Sequence, residues 1–578
     1  MHEKGSIEVN TKNIFPIIKK WLYSDKDIFL RELVVNGCDA ITKLKKISSI
    51  GEAEFSEKPR VDVAVDAEAK TVTISDNGIG MTKEEVEKYI TQIAFSGAEE
   101  FIEKYTDDNE QSQIIGHFGL GFYSAFMVAD SVELETKSYQ DQPAVLWTCD
   151  GGTEYTVTAS DKKEHGTRIT LHIAEDSEDF LIESKLRSIL LKYCGFLPYE
   201  IYLGEEDNSV NDIAPLWTNS PSECSDKDYI DFYHKVFSDF NDPLFWIHLN
   251  VEFPFRLQGI LYFPKLTHEF ESAQGKIKLY NNQVYVADNI KEVIPEFLML
   301  LKGVIDCPDI PLNVSRSALQ NDGTVSKISA HITKKVADRL VSMNKNEKES
   351  YDKYWPDIAP FIEYGCMNDD KFYDKLKPAL QAKTFDGDYA PLAYFAKDND
   401  GKITYATNEA MQAQYIKIHK EDGGKGLIFP HVIDLHFISL LESKESWSFT
   451  RIDSMPEQTA DDEVYAEMFK NALGKEELKI TTSPMKSDIP ALIAQEEQLR
   501  RMSDINKMFS RAALPDMFTL ILNTESKVIK SLPMLEEAKQ ETLCRQIYDI
   551  ARLSHGSLST EELSGFIERS AKIMEDLI

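Results

Sequence analysis

The sequence predicts an α+β multidomain protein, and three observations lead there. The chain has 578 residues, which at ~150 residues per domain gives about four domains, or three larger ones. Apolar residues make up 42% and aromatics 10%, enough for several cores and too much for a largely disordered chain. Helical and strand periodicities are mixed without regular alternation, as in helices layered on a mixed sheet.

The elements follow in chain order. Residues 14–22 and 27–46 repeat apolar side chains at helical spacing. Residues 61–65 and 71–75 alternate as strands, with Ala67-Glu68-Ala69-Lys70 between them. Residues 132–135 and 167–173 also read as strands. The middle of the chain mixes both types, and the part after Ile489 reads as mostly helical. Two polar, acidic stretches without periodicity, 204–214 and 451–463, read as linkers. They cut the chain into blocks of about 205, 240 and 115 residues, ordinary domain sizes.

Charge and cysteine usage narrow the function classes. There are 64 Lys+Arg against 97 Asp+Glu, a net charge of −33. Such a surface repels a phosphate backbone, so no nucleic-acid partner is expected. A local basic pocket for a nucleotide remains compatible with it. The seven cysteines are odd in number and contain no CxxC pair, which fits a reducing compartment rather than a disulfide framework. No His/Cys cluster has metal-ligand spacing. No apolar run reaches ~18 residues, so no membrane span is expected. Met1 to Asn10 lacks a basic-then-apolar leader. A soluble, cytoplasmic protein is expected.

Four motifs carry the chemistry. In the helix predicted at 27–46, Glu32, Asn36, Asp39 and Lys43 recur at i, i+4, i+7 and i+11, one stripe of an otherwise apolar helix. The stripe suits a solvated face or a cleft wall where an amide oxygen holds a hard cation and a carboxylate orients water. Next, the strand Thr71-Val72-Thr73-Ile74-Ser75 ends in Asp76-Asn77-Gly78-Ile79-Gly80-Met81. An acid there can accept from an exocyclic amino group, and glycine lets the backbone approach a flat ring. Asn77-Gly78 also reads as a simple turn. Third, Gly116, Gly119 and Gly121 precede an apolar stretch read as a helix, whose free N–H groups and dipole suit a phosphate. No GxxxxGK[ST] loop occurs. Fourth, Gly166-Thr167 opens an alternating strand.

In this order and spacing, the four motifs resemble the Bergerat-type (GHKL) ATP site shared by gyrase, MutL, histidine kinases and the ninety-kilodalton heat-shock chaperones. FLRELVVNGCDA, SDNGIGMT, IAFSGA and GHFGLGFYSAFMVAD resemble the heat-shock chaperones among these. So do PLWTNSP, DPLFWIHLNVEFPF, GILYFP and DIPLNVSRSALQ. The resemblance covers essentially the whole chain. The short first linker and the terminal MEDLI, without MEEVD, resemble the family's bacterial form.

The resemblance implies an N-terminal Bergerat-type α/β sandwich ATPase domain at 1–205, with a lid at about 91–122. It further implies a short linker at 206–214, an α/β middle domain at 215–455 and a mostly helical C-terminal dimerisation domain at 464–578. It implies an ATP-dependent molecular chaperone, a homodimeric clamp driven by slow ATP hydrolysis, with ATP and Mg²⁺ as cofactors. The implied partners are a second copy, non-native or metastable clients and other chaperones. Glu32 would act as general base, and Asn36 would hold Mg²⁺ between the phosphates. Asp76 would bond the adenine amino group, with Thr167 helping through water, and Gly80 and Met81 would line the adenine slot. Asp39 and Lys43 would lie along the ribose and phosphates. Ser96, Gly97, Gly116, Gly119 and Gly121 would form the lid, with Phe122 at its base. Arg316 would reach the γ-phosphate from the middle domain, supported by Asn313 and Gln320.

The sequence departs from the family pattern in places. Phe95 and Ala98 flank the Ser-Gly of the lid where Lys and Thr are usual, Asn281-Asn282 replace an Arg pair, and Ser317 replaces an acid. In the last block, Leu543, Ile547 and Ile550 form one stripe, and Leu563, Phe566, Ile567, Met574 and Leu577 another. These suit a domain core or, by the resemblance, a helical dimer interface. The Met-rich stretch 495–518 suits a core or a client-facing surface. Asp398 to Thr404 mimics a calcium loop, but positions 1 and 12 fall on Ala396 and Thr407, so Asp400-Gly401 reads as a hairpin turn. Gly423-Gly424-Lys425-Gly426 reads as a loop. A DNA-acting ATPase conflicts with the net charge. A histidine kinase needs an acceptor His before the ATP site, and only His2 precedes Glu32. A passive binder that does not cycle stays open.

Overall fold

The computed structural model describes residues 25–575 except 56, 94, 106–113, 117–118, 153, 266–275, 314–322, 456–458, 498–499, 502–517 and 557. The chain divides into two compact units, Met1–Val336 and Ala337–Ile578.

The first unit contains a seven-stranded sheet and a five-stranded sheet. Helix α1 (Ile28–Ser49) opens the described chain. It buries Ile28, Phe29, Leu30, Leu33, Val34, Val35, Ile41, Leu44 and Ile47, a stripe wide enough to fix its rotation against the sheet. The strands are β1 (Arg60–Asp66), β2 (Thr71–Asp76), β3 (Ala129–Lys137), β4 (Val145–Cys149), β5 (Tyr155–Ala159), β6 (Gly166–Ile173) and β7 (Glu200–Leu203), in the order β5-β4-β3-β6-β2-β1-β7. Neighbours are antiparallel except β1 and β7. Helix α2 (Lys83–Tyr89) starts at a capping box: Thr82 Oγ1 accepts the Glu85 N–H, and Glu85 accepts the Thr82 N–H. Helix α3 (Ala98–Tyr105) follows, and α4 (Glu183–Cys194) joins α1 in the core. Segment 204–214 is fastened at Asn211, whose amide donates to Leu197 O and Tyr199 O while its oxygen takes the Ile201 N–H.

The second sheet of this unit is formed by β8 (Phe245–Val251), β9 (Leu257–Phe263), β10 (Ile277–Asn281), β11 (Val284–Asp288) and β12 (Lys302–Asp306), in the order β11-β10-β12-β9-β8. The departures at Asn281-Asn282 have a structural explanation. Asn281 is buried and donates to Cys307 O and Pro308 O. Asn282 and Gln283 take φ of 50° and 64° in the two-residue turn to β11. Asn tolerates this left-handed backbone better than most residues.

The second unit has sheets β14-β13-β16-β15-β17 and β18-β20-β19. Their strands are β13 (Gln381–Thr384), β14 (Tyr389–Pro391), β15 (Lys402–Ala406), β16 (Gly426–Ile428), β17 (Ser448–Arg451), β18 (Lys479–Ser483), β19 (Ala491–Ala494) and β20 (Thr519–Asn523). Three sequence expectations change here. The part after Ile489 contains β19 and β20 besides its helices, because ALIA and the Leu-Ile-Leu of TLILN are apolar and both strands are buried throughout. Asp400-Gly401 is a turn with positive φ, but no hairpin: it links the helix Leu392–Asp398 to β15. The stripe at Leu543, Ile547 and Ile550 is divided, with Ile547 buried and Ile550 partly exposed. Gly423, Gly424 and Lys425 form a loop as expected, and Gly426 already begins β16. The helix expected at 14–22, and Met502 to Phe509 of the Met-rich stretch, lie outside the described residues.

Candidate active site

Locking α1 to the sheet leaves its polar stripe against a cavity of about 450 Å³. Glu32, Asn36, Asp39 and Lys43 line it. At ~1.5 Å per residue this wall is about 16 Å long. Asp76, Gly80 and Met81 line it from the end of β2, Ser96 and Gly97 from the loop before α3, and Thr167 from β6. Gly116, Gly119, Gly121 and Phe122 close it, and Ile74, Leu134 and Ile169 supply apolar surface.

Strand register sets the Asp76 end. The antiparallel pairing of β2 with β6 puts Asp76 opposite Thr167. The Gly78 N–H donates to Asp76 Oδ1 at 2.9 Å, and the Thr167 N–H also donates to this carboxylate. Burial outweighs both bonds and pushes the Asp76 carboxyl up to about 7. The Thr167 hydroxyl lies 3.0 Å from Thr136 Oγ1, which accepts the Met81 N–H at 3.0 Å. Thr136 escaped the sequence reading because it belongs to a plain alternating strand. Gly80 has φ of 61°, and a Cβ there would lie 1.8 Å from Lys137 O. Only glycine fits this position.

The Glu32 end contains a second residue that sequence reasoning missed. Arg31 is 1% exposed, and its guanidinium donates to Glu32 Oε1 at 3.0 and 2.7 Å. An arginine inside an apolar helix, next to the acid, was the available signal. Asp39 is already engaged: it accepts the Ile115 N–H at 2.9 Å and the Gly116 N–H at 2.7 Å. It thereby ties the glycine segment to α1. Lys43 lies over the Phe101 ring, and burial lowers its pKa despite Asp39 and Glu85. A Cβ on Gly116 would stand 3.4 Å from Asn36 Oδ1.

The glycine segment differs from its sequence reading. Gly121–Met127 is a 3₁₀ turn, not an α-helix. It runs straight into β3 at Ala129, which leaves no length for an α-helix with a useful dipole. The glycines instead serve close approach. A Cβ on Gly121 would sit 2.6 Å from Glu32 Oε2. Gly119 has φ of 64°, and its Cβ would meet Phe95 O at 2.5 Å. Phe95 itself stacks on Tyr89 at 6.0 Å. The Ala98 N–H donates to Ser96 Oγ, which donates to Gly116 O. Phe122 is buried edge-to-face against Trp147. Arg316 and Gln320 lie outside the described residues, and Asn313 is the last described residue before them.

Comparison with known proteins agrees with this geometry. Residues 26–177 match the family described as "Histidine kinase-, DNA gyrase B-, and HSP90-like ATPase". Residues 204–453 match the family described as "Hsp90 protein". The Chaperone protein HtpG of Bacteroides thetaiotaomicron is 46% identical, over 93% of this chain and 85% of its own length. That of Porphyromonas gingivalis is 42% identical, over 100% and 90%. That of Fusobacterium nucleatum is 34% identical, over 81% and 79%. The chain belongs to the Hsp90 family, as a bacterial HtpG-type member: an ATP-dependent molecular chaperone with ATPase activity.

Proposed function

We propose that the cavity binds ATP with the adenine at Asp76 and the phosphates along Asn36 toward Glu32. The observation that carries this is that one cavity joins Asp76, the Gly80 close approach and the paired Glu32. Asp76 accepts from the exocyclic amino group, and Met81 and Gly80 take the ring. Glu32 orients water and takes its proton as the water oxygen attacks the γ-phosphorus. The bond from that phosphorus to the β,γ-bridging oxygen breaks, giving ADP and phosphate. The buried Arg31 guanidinium holds Glu32 in place for this. The Asn36 amide oxygen suits Mg²⁺, which when bound with ATP neutralises phosphate charge.

Arg316 completes the site by offsetting charge that develops on the γ-phosphate, with Asn313 and Gln320 supporting it. Glu32 and Arg316 belong to the segments proposed as the ATP-binding domain at 1–205 and the middle domain at 215–455. Such a site fires only when these parts meet, so closure limits turnover. Pre-steady-state kinetics that put the chemical step slowest would remove this part.

The C-terminal segment 464–578 forms a homodimer. The support is an apolar surface on the helices Glu537–His555 and Thr560–Glu575: Leu553, Leu563, Ile567 and Met574 are exposed, the last two at 58% and 59%. An apolar patch of this kind marks an association surface. The clamp acts on non-native clients in the cytoplasm, alongside other chaperones. No described helix is long and apolar enough to cross a membrane. ATP binding and turnover by wild type, Glu32→Ala and Arg316→Ala test the nucleotide part, and light scattering tests the dimer.

A further inference from the structure

Within the first unit, the two sheets meet at a seam of aromatic rings. Val284 of β11 packs into the same core as α1 and α4, with Tyr285 against it. The Tyr285 ring meets the Tyr193 ring edge-on, with centroids 5.8 Å apart. Tyr193 lies in the last turn of α4 and is 6% exposed. Its ring also takes the Arg31 guanidinium at 5.7 Å and the Lys192 ammonium at 4.4 Å. On the far side of the seam, Tyr280 stands 5.8 Å from Tyr285. Phe196, just past α4, packs edge-on against Trp217 at 4.7 Å and Tyr280 at 5.6 Å.

Arg31 is the group that holds Glu32, so what holds Arg31 matters to the reaction. A buried guanidinium needs compensation and a fixed place. Glu32 supplies the opposite charge. The Tyr193 ring supplies a second attraction, since its π face draws a cation. An edge-to-face partner limits how that ring can turn, and Tyr285 is such a partner. Tyr285, Tyr193, Arg31 and Glu32 therefore form one continuous set of contacts from β11 to the Glu32 carboxylate. Contiguity becomes coupling only through an element with two arrangements. The seam is that element: with β11 against α4 the Tyr193 ring is held, and with β11 away it loses its partner.

We propose that Tyr193 and Tyr285 are positioning residues for ATP hydrolysis: contact of β11 with α4 holds Arg31, and through it Glu32, in the working orientation. The inference rests on Glu32 as the general base, and it gives the second sheet a route to the reaction separate from Arg316. The test measures kcat, its solvent deuterium isotope effect and ATP affinity in the full chain. The variants are Glu32→Ala, Tyr285→Leu, Tyr285→Phe, Tyr193→Leu and the double Leu variant. Tyr285→Leu should lower kcat about 10-fold, as a misplaced base does, and leave ATP affinity within about twofold. Its isotope effect should exceed that of wild type, because proton transfer to Glu32, hidden behind closure in the wild type, becomes the slow step. Tyr285→Phe keeps the ring and should match wild type. The double variant should be no slower than Tyr193→Leu alone, since both act through one ring. Should Tyr193→Leu fail to fold, the Tyr285 variants decide alone. A lower kcat at an unchanged isotope effect means a docking defect only and overturns the proposal, as do additive losses or Tyr285→Leu at the wild-type rate. Turnover retained by Glu32→Ala overturns the reading of Glu32 and this inference with it. Turnover lost in Glu32→Ala but untouched in the tyrosine variants overturns this inference alone.

Discussion

Asp76→Asn should make the ATP-binding region more stable and unable to hold ATP well. The wild-type carboxyl is held at about 7 in the folded state, against 3.8 as its ordinary value. Between these values the folded chain keeps a proton that the unfolded chain has released, so the wild type loses stability as pH rises through this window. At ~1.36 kcal/mol per pH unit, the full cost above pH 7 is about 4 kcal/mol. Asp76 keeps some accessible surface at the cavity, so the expected gain for the variant at pH 8 is about 1–4 kcal/mol. Asn carries no charge at any pH and can still accept the Gly78 N–H. For a region of this size, each kcal/mol moves Tm by about 2–4 °C. Calorimetric scans of both proteins at pH 5.5 and pH 8 read this directly. The advantage of the variant should grow between the two by up to about 2 kcal/mol, since some 1.5 pH units of the window lie there. ATP affinity should fall about 10- to 100-fold, the loss of a charged hydrogen bond. In the wild type near pH 7, ATP binding should release a fraction of a proton, seen as different heats in buffers of different ionisation enthalpy. A variant advantage that does not change with pH would refute the burial argument. Unchanged ATP affinity would refute the adenine assignment.

Three further outcomes follow from the same geometry. Gly80→Ala, with φ of 61° and Lys137 O in the way, should cost roughly 2 kcal/mol or more and weaken ATP binding, measured by thermal unfolding with and without ATP. Arg31→Ala strips the partner from Glu32 in a buried pair and should cost about 3 kcal/mol. It should lower kcat far more than it changes ATP affinity, and equal losses in both would argue against a positioning role. Deleting 535–578 should convert the dimer to a monomer by light scattering, and a truncated chain that stays dimeric contradicts the proposed interface.

The sequence was most legible where backbone and chemistry share one short motif. Asp76-x-Gly78-x-Gly80 marks a strand end, a close approach and an acceptor together, and Asp76 and Gly80 line one cavity while Gly78 packs against Ala40 of α1. The stripe on α1 was readable because helical periodicity assigns faces directly. Other features depend on distant partners. Nothing local announces that Asp39 spends both oxygens on the N–H groups of Ile115 and Gly116. The stretch after Gly121 looks helical by composition, but the start of β3 at Ala129 truncates it. Asp400-Gly401 carries a genuine turn signal, yet the turn follows a helix, because Leu392, Phe395 and Ala396 pack as a short helical face. Tyr193 and Tyr285 are far apart in sequence, and only the fold of the first unit makes them neighbours.

Steady-state ATP hydrolysis with parallel ATP binding, on wild type, Glu32→Ala and Arg316→Ala, tests the split site most directly. Both variants should bind ATP within a few-fold of wild type and lose turnover by about 100-fold or more, the scale of a general base or a charge-stabilising arginine. Arg316→Ala hydrolysing ATP at the wild-type rate would contradict a site completed from beyond the first domain.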